Sequence, residues 1–253
     1  MTTESRISTF HSLEHTAIIS ASGHDPAVMS ISLGNLHAAW RQLAGRLGRR
    51  RDSGPIADTA ELCRFVATRA AFVAQKTLYG YLRTRMGTRF PAMFEDDVFV
   101  GSVNIAKMHV YAACLSDLAT YAVACAAGAQ ADAAACRQLA LACFDAGLAD
   151  NADQVTEGFD PAAARSECVD RLEGADWRFA AAQPQSFVAS PRALVRWAPI
   201  APELKRHDVE FVENSIRFAW HEIRAELRKR LDAEAIAAEL ATELDAGAAV
   251  DSR

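Results

Sequence analysis

Between Leu62 and Ala127 the chain holds two long, apolar-rich, helix-forming stretches with one short interruption, and that pattern limits what the rest can fold into. Asp58 and Glu61 stand at capping-box spacing ahead of the first stretch. Leu62, Phe65, Val66, Phe72, Val73, Leu78, Tyr79, Leu82 and Met86 then cover more than one helical face. A helix apolar on several sides must lie among other helices. The spacing predicts a central helix over Asp58–Met86, a second over Ser102–Ala127, and a connector over Gly87–Gly101. Within the connector, Pro91 biases Phe90 toward extended geometry, and Phe90, Met93 and Phe94 are apolar enough to fold back onto the helix ends.

Downstream, residues 130–149 read as an Ala-rich helix, and Asp160-Pro161 supplies an N-cap and a first-turn proline for a helix ending near Gly174. A Gln/Pro/Ser stretch, Ala180–Ser190, reads as a linker. Ser190-Pro191 is expected to cap a short helix stopping near Pro199. Pro202 opens a long C-terminal helix predicted to reach Leu244, on the order of 60 Å at 1.5 Å per residue. Val209, Val212, Ile216, Trp220, Ile223, Leu227 and Leu231 form its main stripe. Phe211 and Phe218 fall on the opposite side, which predicts a helix held between two surfaces, one of them supplied by a second copy in a homodimer. The fold class expected is all-α: a multi-helix bundle with a long C-terminal helix. Residues 1–32 form an N-terminal segment without period, residues 33–179 the bundle core, and residues 180–253 a linker plus the C-terminal helix packed on that core. A chain of 253 residues, 51% apolar, can bury such a core.

Charge is segregated along the chain. Residues 33–91 carry a net +8 and residues 92–176 a net −10, within an overall −5. A basic and an acidic segment can satisfy each other or offer the basic side to an anionic partner. Leu33, Leu36, Trp40, Leu43 and Leu47 share one helical face with Arg41, Arg46, Arg49, Arg50 and Arg51 beside it. That is the layout of a helix lying on an anionic membrane surface, and equally of a helix packed on the body with its arginines paired to acids. Arg69, Lys76 and Arg83 make a second basic stripe, read as a solvated face.

Six cysteines without CxxC spacing, and no apolar stretch of export-signal type in residues 1–32, predict free thiols and a cytoplasmic location with visits to the inner membrane surface. Ser102, Asn104, Lys107, His109, Ser116 and Asp117 interrupt the most apolar run, which argues against a membrane span.

Three places could carry chemistry. Arg83, Arg85 and Arg89 enter the connector and Glu95, Asp96 and Asp97 leave it; the acids also suit a helix N-terminus. The arginines are candidates for holding an anion, and Asp96, Asp97 or His109 for a base. His11, Glu14 and His15 match the inverted zinc-protease pattern, but too briefly to predict a metal site. His109, Ser116 and Asp117 lie two turns apart on one helix face, too far to meet as a triad, and read as a polar seam fixing helix register. No GxSxG elbow, Walker loop or GxGxxG occurs, so no cofactor is expected. Without a helix-turn-helix or paired strand aromatics, nucleic acid is not an expected partner.

The stretches Arg69–Pro91, Met93–Val98, Lys107–His109, Ser190–Ile200 and Val212–Phe218 resemble an uncharacterised bacterial helical family commonly labelled "esterase". A fainter resemblance, through Leu78-Tyr79, Phe90-Pro91 and Met108-His109, is to the chaperones that assist assembly of ubiquinol-cytochrome c reductase. The first implies ester hydrolysis without indicating a nucleophile; the second implies a protein partner at a membrane. Together the features predict a non-catalytic helical interaction, assembly or scaffold protein. The rival expectation is a small esterase-like hydrolase with its pocket at residues 83–109.

Overall fold

A computed structural model describes residues 54–128, 132–181 and 187–251, with 243–251 described by backbone alone. Leu33–Arg51, with its candidate surface-binding residues Trp40, Arg41, Arg46, Arg49, Arg50 and Arg51, and the His11–His15 pattern lie outside the described residues. Described are nine helices and no named strand: α1 Thr59–Met86, α2 Asp97–Ala127, α3 Ala133–Ala149, α4 Pro161–Glu173, α5 Trp177–Ala180, α6 Ala189–Trp197, α7 Pro202–Lys205, α8 Val209–Arg230 and α9 Ala233–Asp251. The all-α multi-helix bundle is the fold expected.

Caps set the helix starts as the sequence indicates. The Asp58 carboxylate accepts from Glu61 N at 2.6 Å, and Glu61 Oε2 reaches back to Ala57 N at 3.0 Å. Asp160 accepts from Ala162 N, ahead of Pro161 in the first turn. The second long helix begins five residues earlier than predicted, because Asp96 is its N-cap, accepting from Val98 N at 2.9 Å and Phe99 N at 3.2 Å.

α2 is the axis of the bundle. It packs against α1, α3, α4, α5, α6 and α9, while α1 also meets α3 and α8. By length and mean hydropathy (1.4) it is long and apolar enough to cross a membrane, despite the polar interruptions, but 83% of that apolar window is buried inside the bundle.

The connector departs from its expectation at Phe90, which is helical (φ −50°, ψ −46°) rather than extended. Two 3-10 turns, Gly87–Arg89 and Ala92–Glu95, occupy the bend. They bring Phe90 and Phe94 edge to face at 5.1 Å and set Phe94 against Tyr79 and Phe99. This aromatic packing outweighs the local preference.

The C-terminal arm also differs. A long helix is there, α8, but the run from Pro202 is divided at residues 206–208 and again at Leu231. At the first break Asp208, only 4% exposed, is met by Arg85 and accepts from Tyr81 Oη at 2.7 Å. At the second, Leu231 is extended and pairs with Ile56 as a parallel bridge, with Ile56 N donating to Arg230 O at 2.8 Å and Asp232 N to Ile56 O at 2.9 Å. These long-range partners hold backbone that would otherwise continue the helix. Val212, Ile216, Trp220, Ile223 and Leu227 are buried as the stripe predicts, whereas Val209 is exposed and Phe211 and Phe218 are 51% and 66% exposed, so among the described residues α8 is covered on one side.

The stripe of Arg69 and Lys76 is not merely solvated. Arg69 Nε donates to Glu226 at 2.8 Å and Lys76 Nζ to Glu222 at 3.2 Å, tying α1 to α8.

Candidate functional site

Two carboxylates are buried among the described residues, Asp117 and Asp208, and an arginine from another element answers each. Asp117, with no exposed surface, lies midway along α2. Arg171 of α4 approaches it at 2.6 Å and also donates to Ser116 Oγ at 3.0 Å. On its other side Asp117 accepts from Ser190 N at 2.8 Å and Ala189 N at 3.2 Å, the first amides of α6. Ser190-Pro191 is therefore not the cap that the sequence suggests. Val188 stands at the N-cap without a side-chain bond, and the capping oxygens come from a helix 72 residues earlier. Ser190 Oγ instead accepts from Trp220 Nε1 at 3.0 Å. Burial pushes the Asp117 carboxyl upward from the carboxylate range, and Arg171 with the Ser190 and Ala189 donors pulls against it.

This pin forms one end of a cleft of about 630 Å³ between α2, the Gly158-Phe159 turn, α4 and α6. At the other end His109 stacks on Trp197, rings 3.4 Å apart and parallel within 2°, with Phe159 edge-on at 5.0 Å. His109 Nε2 is 3.1 Å from Gly158 O. The turn needs glycine: φ is +98°, and a Cβ would stand 2.9 Å from Ile105 Cδ1. Burial pulls the imidazole below its ordinary value, aided by Arg196 and opposed by the Gly158 bond and Glu167.

Along the α6 wall Arg192 and Arg196 are exposed one turn apart, Arg196 lying over the Trp197 ring. Glu167 and Asp160 line the α4 side, Asp160 as the helix cap. The other groups of the cleft are not activated. Burial pushes the Cys168 thiol up to about 11, leaving it protonated near neutrality. Ser116 Oγ takes a bond from Arg171, and the recorded partner of the His109 ring nitrogen is a backbone carbonyl. The cleft offers cations and an aromatic wall, and among the described residues no hydroxyl or thiol is hydrogen-bonded to the imidazole.

The site residues expected at the connector do not converge. Asp96 caps α2 and Asp97 occupies its first turn, both exposed. Arg85 is engaged by Asp208, while Arg83 and Arg89 are exposed. His109 belongs to the cleft on a different part of α2. Sequence reasoning missed Glu167, Arg171, Arg192, Arg196 and Trp197 as one group. The signal for part of it was visible: Arg192 and Arg196 are four apart with no acid between Ser190 and Pro202. The pairing of that face with α2 was not. Among the described residues no group of His, Cys, Asp and Glu has the arrangement to hold a metal ion. Comparison with family models, with curated proteins and with solved structures gives no match.

Proposed function

We propose that the protein is a non-catalytic helical interaction factor, of assembly or scaffold type, and that it docks an acidic segment of a protein partner in the α2–α4–α6 cleft. The observation that carries this reading is the character of the cleft. One end is lined by Ser116 and Arg171, both engaged in the bonds that hold buried Asp117, and its α6 wall presents Arg192 and Arg196 beside the Trp197 ring. Guanidinium groups next to an aromatic face suit carboxylates and planar groups. A protonated, buried thiol and an engaged serine do not suit covalent catalysis.

Affinity capture from the native cell with the full chain tests it. A partner recovered by wild type and by Arg83→Glu/Arg89→Glu, but lost with Arg192→Glu/Arg196→Glu, is the expected pattern. Equal recovery by both double variants would remove the cleft from the reading. A station at the inner membrane surface rests on the sequence of Leu33–Arg51 alone. Flotation with anionic vesicles at low salt, lost on changing Arg49, Arg50 and Arg51 to Glu, is its test. Exposed Phe211 and Phe218 support a homodimer through α8, and sedimentation that becomes monomeric on Phe218→Glu would bear on it. The hydrolase reading, which the "esterase" resemblance implies, is favoured only if short p-nitrophenyl esters turn over and His109→Ala abolishes that turnover in folded protein.

A further inference from the structure

Away from the cleft, Cys63 of α1 and Cys143 of α3 bring their sulfurs to 2.6 Å. Among the described residues no other two sulfurs are recorded in contact. The two differ in access: Cys63 is half-buried, and Cys143 has no exposed surface. Two rigid helices hold this approach, since α1 and α3 pack directly against one another. Leu62, Val66 and Ala70 of α1 and Leu139, Ala140 and Phe144 of α3 are buried on either side of the pair. We propose that Cys63 and Cys143 are a redox pair, closing reversibly to a disulfide between α1 and α3 by exchange with a low-molecular-weight disulfide. This inference is independent of the docking reading.

Electrons and protons balance as follows. Cys63, the accessible partner, loses its proton to solvent, and its thiolate attacks one sulfur of the small disulfide. A mixed disulfide forms and one small thiolate leaves, taking up a proton. Cys143 then loses its proton and attacks the Cys63 sulfur, expelling the second small thiol. Two protein thiols are oxidised by two electrons, and the small disulfide is reduced to two thiols. The local chemistry supports the order. The hydrogen bond from Cys143 holds the Cys63 thiol below its ordinary value, against burial and the Glu239 carboxylate. The same bond, with burial, pushes Cys143 well above its own. The more accessible sulfur is thus the better first nucleophile, and the buried one resolves.

The test incubates the reduced full chain in a low-molecular-weight thiol/disulfide buffer of graded ratio, followed by intact mass, thiol titration and a non-reducing peptide map. The expected result is a loss of two hydrogens in mass, a fall from six titratable thiols to four, and a cross-linked peptide joining Cys63 to Cys143. All of it reverses on adding excess thiol. Cys143→Ser should stop at a stable mixed disulfide on Cys63, and Cys63→Ser should show neither adduct nor cross-link. Six thiols persisting in a buffer that oxidises a reference dithiol would overturn the proposal. So would a cross-link mapping to any other pair. The wild-type map decides the matter even if a serine variant fails to fold.

Discussion

Replacing Asp117 by Ala tests the central structural claim, that one carboxylate on α2 fixes both α4 and α6. The substitution removes the partner of Arg171 at 2.6 Å and leaves Ser190 N and Ala189 N without the oxygens now at 2.8 and 3.2 Å. Removing one member of a buried ion pair costs about 3–5 kcal/mol, chiefly because the surviving charge is left uncompensated. Loss of the helix cap belongs to the same set of bonds and is not added separately. Set against a total stability of about 5–15 kcal/mol, this is about a fifth or more of what holds the chain folded. Asp117→Asn keeps the shape and one acceptor oxygen but turns an amide donor toward other donors, so its cost should be close to that of a lost charged hydrogen bond, about 1.5–3 kcal/mol. Urea unfolding followed by circular dichroism gives the midpoint and slope for each variant, and an unchanged slope assigns the loss to the native state. Adding Arg171→Met to Asp117→Ala should cost less than Arg171→Met alone, because the partner is already gone, with a coupling of at least about 1 kcal/mol. An Asp117→Ala protein within about 1 kcal/mol of wild type, or strict additivity in the double variant, would refute the pin.

Two glycines in helices should respond to alanine with opposite signs. At Gly147 a Cβ would stand 2.6 Å from Leu115 Cδ2 and 3.2 Å from the Tyr111 hydroxyl, so Gly147→Ala should lose about 1–3 kcal/mol through overpacking. Gly80 has nothing within 4 Å, and Gly80→Ala should gain about 0.5–1 kcal/mol in the same urea assay. Acid sensitivity should come in part from Glu226: burial raises its carboxyl, but Arg69 and Arg230 outweigh that and hold it below the ordinary value. Its stabilisation is present above about 4.3, the unfolded value, and is lost as pH falls through the lower folded value, so Glu226→Gln should flatten the acid limb of melting temperature against pH. His109 acts with the same sign at higher pH. Its neutral form is favoured by burial, so stability should begin to fall as pH drops below about 6.5, and His109→Gln should remove that step. Asp208→Ala should destabilise by about 1.5–3 kcal/mol through loss of the Arg85 and Tyr81 contacts, less than a fully buried pair because Arg85 reaches solvent, whereas Arg83→Ala, at an exposed position, should stay within about 0.5 kcal/mol.

The sequence by itself determined the helices. Asp58, Asp160 and Pro161 mark starts, Gly174 marks an end, and the main stripe of α8 marks the face buried at Val212, Ile216, Trp220, Ile223 and Leu227, because caps and i→i+4 bonds act within one turn and are written in neighbouring residues. It did not determine where those helices break or meet. Leu231 leaves the helix because Ile56 pairs with its backbone, and Asp208 turns inward because Arg85 and Tyr81 wait there. Phe90 is helical because it packs against the rings of Tyr79 and Phe94. The cap of α6 is Asp117, and the cleft joins His109 to Trp197 from far along the chain. Each of these contacts depends on chain segments brought together only when apolar surface is buried, and a local pattern carries no record of which distant partner that burial selects.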